Sequence, residues 1–180
     1  MKIEKTFIDG LFVLKSRHFN DARGEFRKIF SEDIFLENQL EYDFKEFYYS
    51  VNRKDVIRGM HFQTPPYDHV KVVYVCKGKI LDVIVDIRKN SNTYGKYFSI
   101  ELNENNGTYL YIPKGLAHGF KSLEDDSIVN YMQTSCYNNE HDCGISYNSF
   151  GFDWGITAPI ISERDKHFPN LANFNSPFSI

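Results

Sequence analysis

The chain has few cysteines, no long apolar run and no excess of positive charge. Cys76, Cys136 and Cys143 are its three cysteines, and they form neither a Cys-x-x-Cys pair nor an even-numbered set. That excludes a disulfide framework and leaves buried or incidental thiols in a reducing compartment. No apolar stretch reaches the ~18 residues of a membrane helix, so no membrane partner is expected. The opening MKIEKTFIDG lacks the apolar middle of a secretion signal, which makes the cytoplasm the expected location. A net charge of -3 gives no general basic field for nucleic acid, although a local basic pocket for a phosphorylated small molecule stays compatible with it. Internal repeats, linkers and low-complexity stretches are also missing.

What is present is aromatic and β-prone. A chain of 180 residues suits one domain, here residues 1–180, and is long enough to bury a core without covalent staples. Sixteen Phe and twelve Tyr suffice to fill a wide sheet core and to line a ligand pocket as well. Short β-prone segments recur between Asn, Gly and Asp turns: GLFVLKSRHF, KEFYYSVN, YGKYFSIEL, GTYLYIP, GFKSL and SIVNYMQTSCY. In HVKVVYVCKGKILDVIVDIR, two β-branched runs flank Lys77-Gly78-Lys79 and predict a hairpin. In its second run Leu81, Val83, Val85 and Ile87 alternate with Asp82, Ile84, Asp86 and Arg88, so one face is wholly apolar. Ser31 is the expected N-cap of a helix through EDIFLENQL, and a second short helix is expected from about Ser162, before Pro169. The fold class is all-β, an antiparallel sandwich or jelly roll with a few short peripheral helices.

Four clusters offer chemistry. IRGMHFQTPP places Arg58, His61 and Gln63 on or beside a strand that ends at a double proline; strand alternation puts His61 and Gln63 on one face. His61 reads either as a core histidine with a satisfied hydrogen bond or as a base in a pocket. Lys71, entering an apolar strand, reads either as a pocket cation or as an edge residue that blunts pairing. YIPKGLAHGF sets His118 after a Pro-Lys-Gly turn, similar to the second motif of the cupin superfamily. A cupin metal site needs two histidines and a glutamate in its first motif, whereas MHFQ supplies one histidine, so a metal-free site with no cofactor is the better reading. Tyr131, one of twelve tyrosines, is structural by default.

Taken in order, DARGEF, IRGMHFQTPP, KVVYVCKGKILDVIVDIRKNSNTYGKY, YIPKGLAHGF, YNNEHDCGI and PIISERD resemble the dTDP-4-dehydrorhamnose 3,5-epimerase family, the RmlC-like branch of the cupins. The resemblance runs from about Phe12 to Asp165. It implies that His61 is the catalytic base, that Asp165 orients it, that Lys71 lies near the substrate carbonyl oxygen and that Tyr131 is the general acid. It also implies a substrate-binding set: Arg23 and Arg58 on the nucleotide diphosphate, with Phe26, Asn52, Gln63, His118 and Tyr137 around the pocket. FYYSVNRKDVIRG departs from the more common QDNHS-type pattern, and Cys136 stands where a tyrosine is frequent. A homodimer, formed by sheet extension from the N-terminal strand, is implied as well.

These residue types suit proton transfer beside a carbonyl. Inverting a carbon next to a 4-keto group needs a base on one face of the ring, an acid on the other and a cation at the enolate oxygen. The expected substrate is a nucleotide-linked 4-keto-6-deoxy sugar, in the sharpest form dTDP-4-dehydro-6-deoxy-D-glucose inverted at C3 and C5. The alternatives are a single-site epimerase on a dTDP-, CDP- or GDP-linked sugar, a non-catalytic sugar-binding cupin, and a metal-dependent cupin oxygenase.

Overall fold

A single glycine decides how the longest β-prone run is used. The computed structural model describes residues 1–180. Its strands are, in chain order, β1 (Lys2–Lys5), β2 (Phe12–Lys15), β3 (His18–Asp21), β4 (Gly24–Arg27), β5 (Glu46–Asn52), β6 (Ile57–Gln63) and β7 (Lys71–Lys77). There follow β8 (Lys79–Asp86), β9 (Tyr97–Asn103), β10 (Thr108–Ile112), β11 (Leu116–Ser122), β12 (Ser127–Gln133) and β13 (Asp142–Gly144). Helix α1 (Glu32–Glu37) lies between β4 and β5, and α2 (Glu163–Lys166) lies in the C-terminal tail.

The strands form a six-stranded sheet ordered β1-β2-β10-β7-β12-β5, a five-stranded sheet ordered β13-β6-β11-β8-β9 and the small β3–β4 hairpin. Pairing is antiparallel throughout these sheets, so the expected all-β sandwich is what the chain adopts.

The hairpin predicted at Lys77-Gly78-Lys79 does not form. β7 pairs with β10 and β12, while β8 pairs with β11 and β9 in the other sheet. Only Gly78 separates the two strands, too few residues for a two-residue hairpin turn. Its φ of +75° swings the chain from one sheet to the other, and a Cβ there would come within 3 Å of Ser127. Long-range partners on both flanks of each strand outweigh the local hairpin signal.

The alternation in β8 has a similar outcome. Ile80 and Ile84 face the interior between the sheets, in the cluster with Val73, Leu110, Phe120 and Tyr131. Val83, Val85 and Ile87 point the other way, into a second cluster closed by Trp154, Leu171 and Phe178 of the C-terminal tail. The wholly apolar face thus packs under the tail, and Asp82 belongs to the face between the sheets. Full burial of such large side chains is worth about 1.5–3 kcal/mol each, which ties down a tail with little regular structure.

Ser31 has the extended backbone of an N-cap but makes no side-chain cap bond. Ser162 does cap α2, its side chain accepting from the Asp165 N–H at 3.1 Å. That bond fixes the turn on which Asp165 sits.

Candidate active site

Between the two sheets lies a cavity of about 350 Å³. The five-stranded sheet lends it Arg58, His61 and Gln63 from β6, His118 and Phe120 from β11, and Asp142 from β13. The six-stranded sheet lends Lys71 from β7, Tyr131 and Gln133 from β12, and Glu46, Tyr48 and Ser50 from β5. His61 and Tyr131 therefore face the same space from opposite walls.

β6 and β11 run unusually close beside the histidines. His118 is the register partner of His61, and the register shifts just beyond it. A Cβ on Gly59 would lie 2.5 Å from the Gly119 Cα, so the approach needs glycine at this crossing. On the other flank Gly144 is the register partner of His61, and the Phe168 ring occupies the space a Cβ there would need. Phe168 in turn meets the His61 ring edge-on at 5.7 Å.

His61 and Asp165 form the best-defined polar pair. Nε2 of His61 is 2.9 Å from Oδ1 of Asp165, and the other carboxylate oxygen accepts the Gly59 N–H at 3.0 Å. Burial pushes the Asp165 carboxyl up, yet hydrogen bonds from His61, Gly59 and Ser162 outweigh it and hold the pKa at about 2. An ionised carboxylate only accepts, so Nε2 carries the proton and the lone pair lies on Nδ1. Burial lowers the His61 pKa more than Asp165 raises it, with Arg164 and Lys71 adding to the fall. The imidazole is neutral at neutral pH, the state a base requires.

The opposite wall is governed by desolvation. Lys71 is buried, which draws its pKa down to about 8 against the pull of Asp142 and Asp82. This supports the pocket-cation reading over the edge-residue one, since β7 lies inside its sheet between β10 and β12. Burial pushes the Tyr131 phenol far above its ordinary range, only partly offset by a 3.3 Å contact with the Ser50 hydroxyl. Tyr48 stacks on it with centroids 4.7 Å apart. The phenol stays protonated at every working pH, as an acid must.

His118 is buried, with Nε2 2.8 Å from Oδ1 of the fully buried Asp82, though the two form no hydrogen bond. Arg164 pairs with Asp142, approaches Asp165 at 3.4 Å and lies over the Phe168 ring at 5.4 Å. His69 also lines the cavity; burial and the charge of Lys71 drag its pKa down to about 3, so it is neutral. No group of three or more His, Cys, Asp or Glu side chains stands where it could hold a metal ion.

A model of the dTDP-4-dehydrorhamnose 3,5-epimerase family matches residues 5–173. The chain belongs to this family. It is 41% identical over 172 residues to the dTDP-4-dehydrorhamnose 3,5-epimerase of Methanothermobacter thermautotrophicus, covering 93% of this chain and 92% of that one. The crystal structure of the Sulfolobus tokodaii enzyme of the same name is 42% identical, with a TM-score of 0.89 and coverage of 96% and 97%. That of RmlC from Legionella pneumophila, solved in complex with dTDP-4-keto-L-rhamnose, is 30% identical with a TM-score of 0.91, covering 97% and 94%. With family membership comes the enzyme class: the chain is an isomerase.

Of the residues singled out in the sequence, His61, Lys71, Tyr131, Arg58, Gln63, His118 and Tyr137 line the cavity, and Asp165 lies directly behind His61. Three do not line it. Asn52 is 1% exposed, and its side chain orients others instead: Oδ1 accepts from Arg58 Nε at 2.7 Å and Nδ2 donates to Ser50. Arg23 and Phe26 sit on the β3–β4 hairpin, where Arg23 pairs with Asp21 and the Phe26 ring is exposed. The resemblance placed these three by motif, but motif position does not tell which strand edge or which copy a side chain serves.

Sequence reasoning missed Glu46, Tyr48, Ser50, His69, Asp142 and Arg164. In β5 the pattern misleads, because Phe47, Tyr49 and Val51 are exposed on the outer side, while Glu46, Ser50 and the still 39% exposed Tyr48 line the cavity. A polar-in strand makes sense only beside a cavity. Arg164 had a signal in its place next to Asp165.

Proposed function

We propose that the cavity epimerises a nucleotide-linked 4-keto-6-deoxy sugar, dTDP-4-dehydro-6-deoxy-D-glucose to dTDP-4-dehydro-L-rhamnose, without a metal or cofactor. His61 takes the proton from the carbon beside the keto group and becomes an imidazolium that Asp165 stabilises. The electron pair moves onto the carbonyl oxygen, where Lys71 meets the negative charge, an effect worth ~2.7–4 kcal/mol in comparable sites. Collapse of the enolate takes a proton from Tyr131 on the opposite face, which inverts the carbon. Once His61 has released its proton to solvent and Tyr131 has regained one, the same sequence at the second of C5 and C3 completes the conversion. Arg58 holds the diphosphate, His118 closes the wall and Tyr137 meets the substrate at the cavity mouth.

The observation that carries this reading is the placement of His61 and Tyr131 on opposite sheets facing one cavity, with Asp165 behind the imidazole. A pocket that merely bound sugar would gain nothing from a neutral base opposite a protonated phenol.

The test is incubation with dTDP-, CDP- and GDP-linked 4-keto sugars in D2O, followed by NMR. Deuterium entering C3 and C5 of the dTDP sugar is expected. Label at one carbon alone would support a single-site epimerase, preference for another base would change the nucleotide, and no label with any substrate would overturn the reading.

The reading includes a homodimer. Phe47, Tyr49 and Val51 expose an apolar stripe on the outer side of edge strand β5, and Phe19 and Phe26 do so on the hairpin. A second copy is the occupant that covers both and lets Arg23 and Phe26 act on a neighbour's cavity. Sedimentation at micromolar concentration is expected to give twice the monomer mass; a monomer would remove Arg23 and Phe26 from the site altogether.

A further inference from the structure

Tyr137 lines the cavity yet is 56% exposed, and its phenol hydrogen-bonds only to Asn139, at 3.2 Å. Little packing holds the ring, so its direction is set by its backbone. That backbone is gripped by side chains from both sheets. Gln63 at the end of β6 donates from Nε2 to the Cys136 carbonyl at 3.1 Å and accepts at Oε1 from the Asn138 N–H at 2.6 Å. Glu46 at the start of β5 accepts the Tyr137 N–H at 3.0 Å with the same oxygen that accepts from Gln133 at 3.1 Å. Each of residues 136, 137 and 138 is thereby tied through its main chain.

We infer that Gln63, with Glu46 opposite it, is a positioning residue for Tyr137 and not a ligand of the substrate. The Gln63 amide has no donor to spare. Its two N–H bonds are used by the Tyr67 carbonyl at 2.9 Å and the Cys136 carbonyl, and the side chain is almost fully buried. Because His61 and Gln63 share one face of β6, a single strand carries both the base and the clamp on the mouth residue. The clamp sets Tyr137 before substrate arrives, so less ordering is left to the binding step. The proposal rests on the epimerase reading for the ligand Tyr137 meets, though not for the clamp itself.

The test compares Gln63→Ala, Tyr137→Ala and the double variant, using dTDP-4-dehydro-6-deoxy-D-glucose for kinetics and substrate-free protein for amide hydrogen exchange. Gln63→Ala is expected to raise KM about tenfold while kcat stays within about twofold, the pattern of lost uniform binding. The double variant should bind no worse than Tyr137→Ala, because Gln63 acts through that residue. Exchange at the Tyr137 and Asn138 amides should accelerate in Gln63→Ala. Glu46→Ala should reproduce the KM effect from the other sheet, and Glu46→Gln, which keeps an acceptor, should recover most of it; this pair decides the matter if Gln63→Ala does not fold. A fall in kcat at unchanged KM, or penalties that multiply in the double variant, would overturn the assignment. If the wild type turns over no keto sugar, the epimerase reading fails by itself, while unchanged exchange in Gln63→Ala would still sink the clamp.

Discussion

The two walls of the cavity are built on different physical terms. On the five-stranded side, His61 is oriented by a carboxylate that is itself held by Gly59 and Ser162, while burial keeps the imidazole neutral. On the six-stranded side, Lys71 and Tyr131 owe their character mainly to burial, which lowers the ammonium pKa and raises that of the phenol. Hydrogen bonding can choose a tautomer and aim a lone pair, which a base needs. Desolvation can keep a phenol protonated and sharpen a cation's field, which suits an acid and an oxyanion partner.

Removing the imidazole proposed as the base strikes the hydrogen-bonded wall hardest. His61→Ala is expected to abolish solvent exchange at every position of the sugar, a loss of 10²-fold or more, on the order of what positioned acid–base groups supply. Measurable exchange at one carbon would mean that a second base serves it.

Lys71→Met tests the desolvated wall. It should lower kcat by about 10²–10³-fold while raising the melting temperature, because a buried cation is replaced by an apolar side chain of similar length. The two effects should also separate with pH in the unmodified protein. Lys71 has its folded pKa lowered to about 8 from an ordinary 10.5, so above pH 8 the unfolded chain binds more protons and stability rises with pH up to about 10.5. Activity should fall across the same window as the cation is lost. Parallel rise or parallel fall of the two curves would show that Lys71 is not the group involved.

Tyr131→Phe should slow inversion more than proton exchange, since removal of the proton survives and its return on the opposite face does not. Equal losses, read by NMR of recovered substrate and product, would take the acid role away from Tyr131.

The smallest effect concerns stability in acid. Asp165 titrates at about 2 when folded against an ordinary 3.8, so its contribution is complete above pH 3.8 and is lost as pH falls toward 2. The contribution is on the order of 2 kcal/mol. Asp165→Asn should flatten that part of the acid unfolding curve, and an unchanged curve would place the acid sensitivity elsewhere.

Much of this was legible from local pattern. Alternating β-branched runs and turn residues place the strands, and the short helix expected from about Ser162 is the one that bears Asp165. His61 and Gln63 could be set on one face by counting. Other features could not be read this way. The β7–β8 link looks like a hairpin because a Lys-Gly-Lys between two β-branched runs is a local signal, whereas the sheet each strand joins depends on partners far along the chain. KEFYYSVN reads only as β-prone, and no local pattern reveals that Glu46, Tyr48 and Ser50 of β5 line a cavity.

The order of residue types along this chain determined an antiparallel β fold and supplied an imidazole, a carboxylate, an ammonium and a phenol, because alternation and turn chemistry act between near neighbours. Which of them face one another, which stay neutral and which are spent holding the backbone was decided only when the two sheets closed. Distance, desolvation and hydrogen-bond partnership between remote strands exist only in the folded chain.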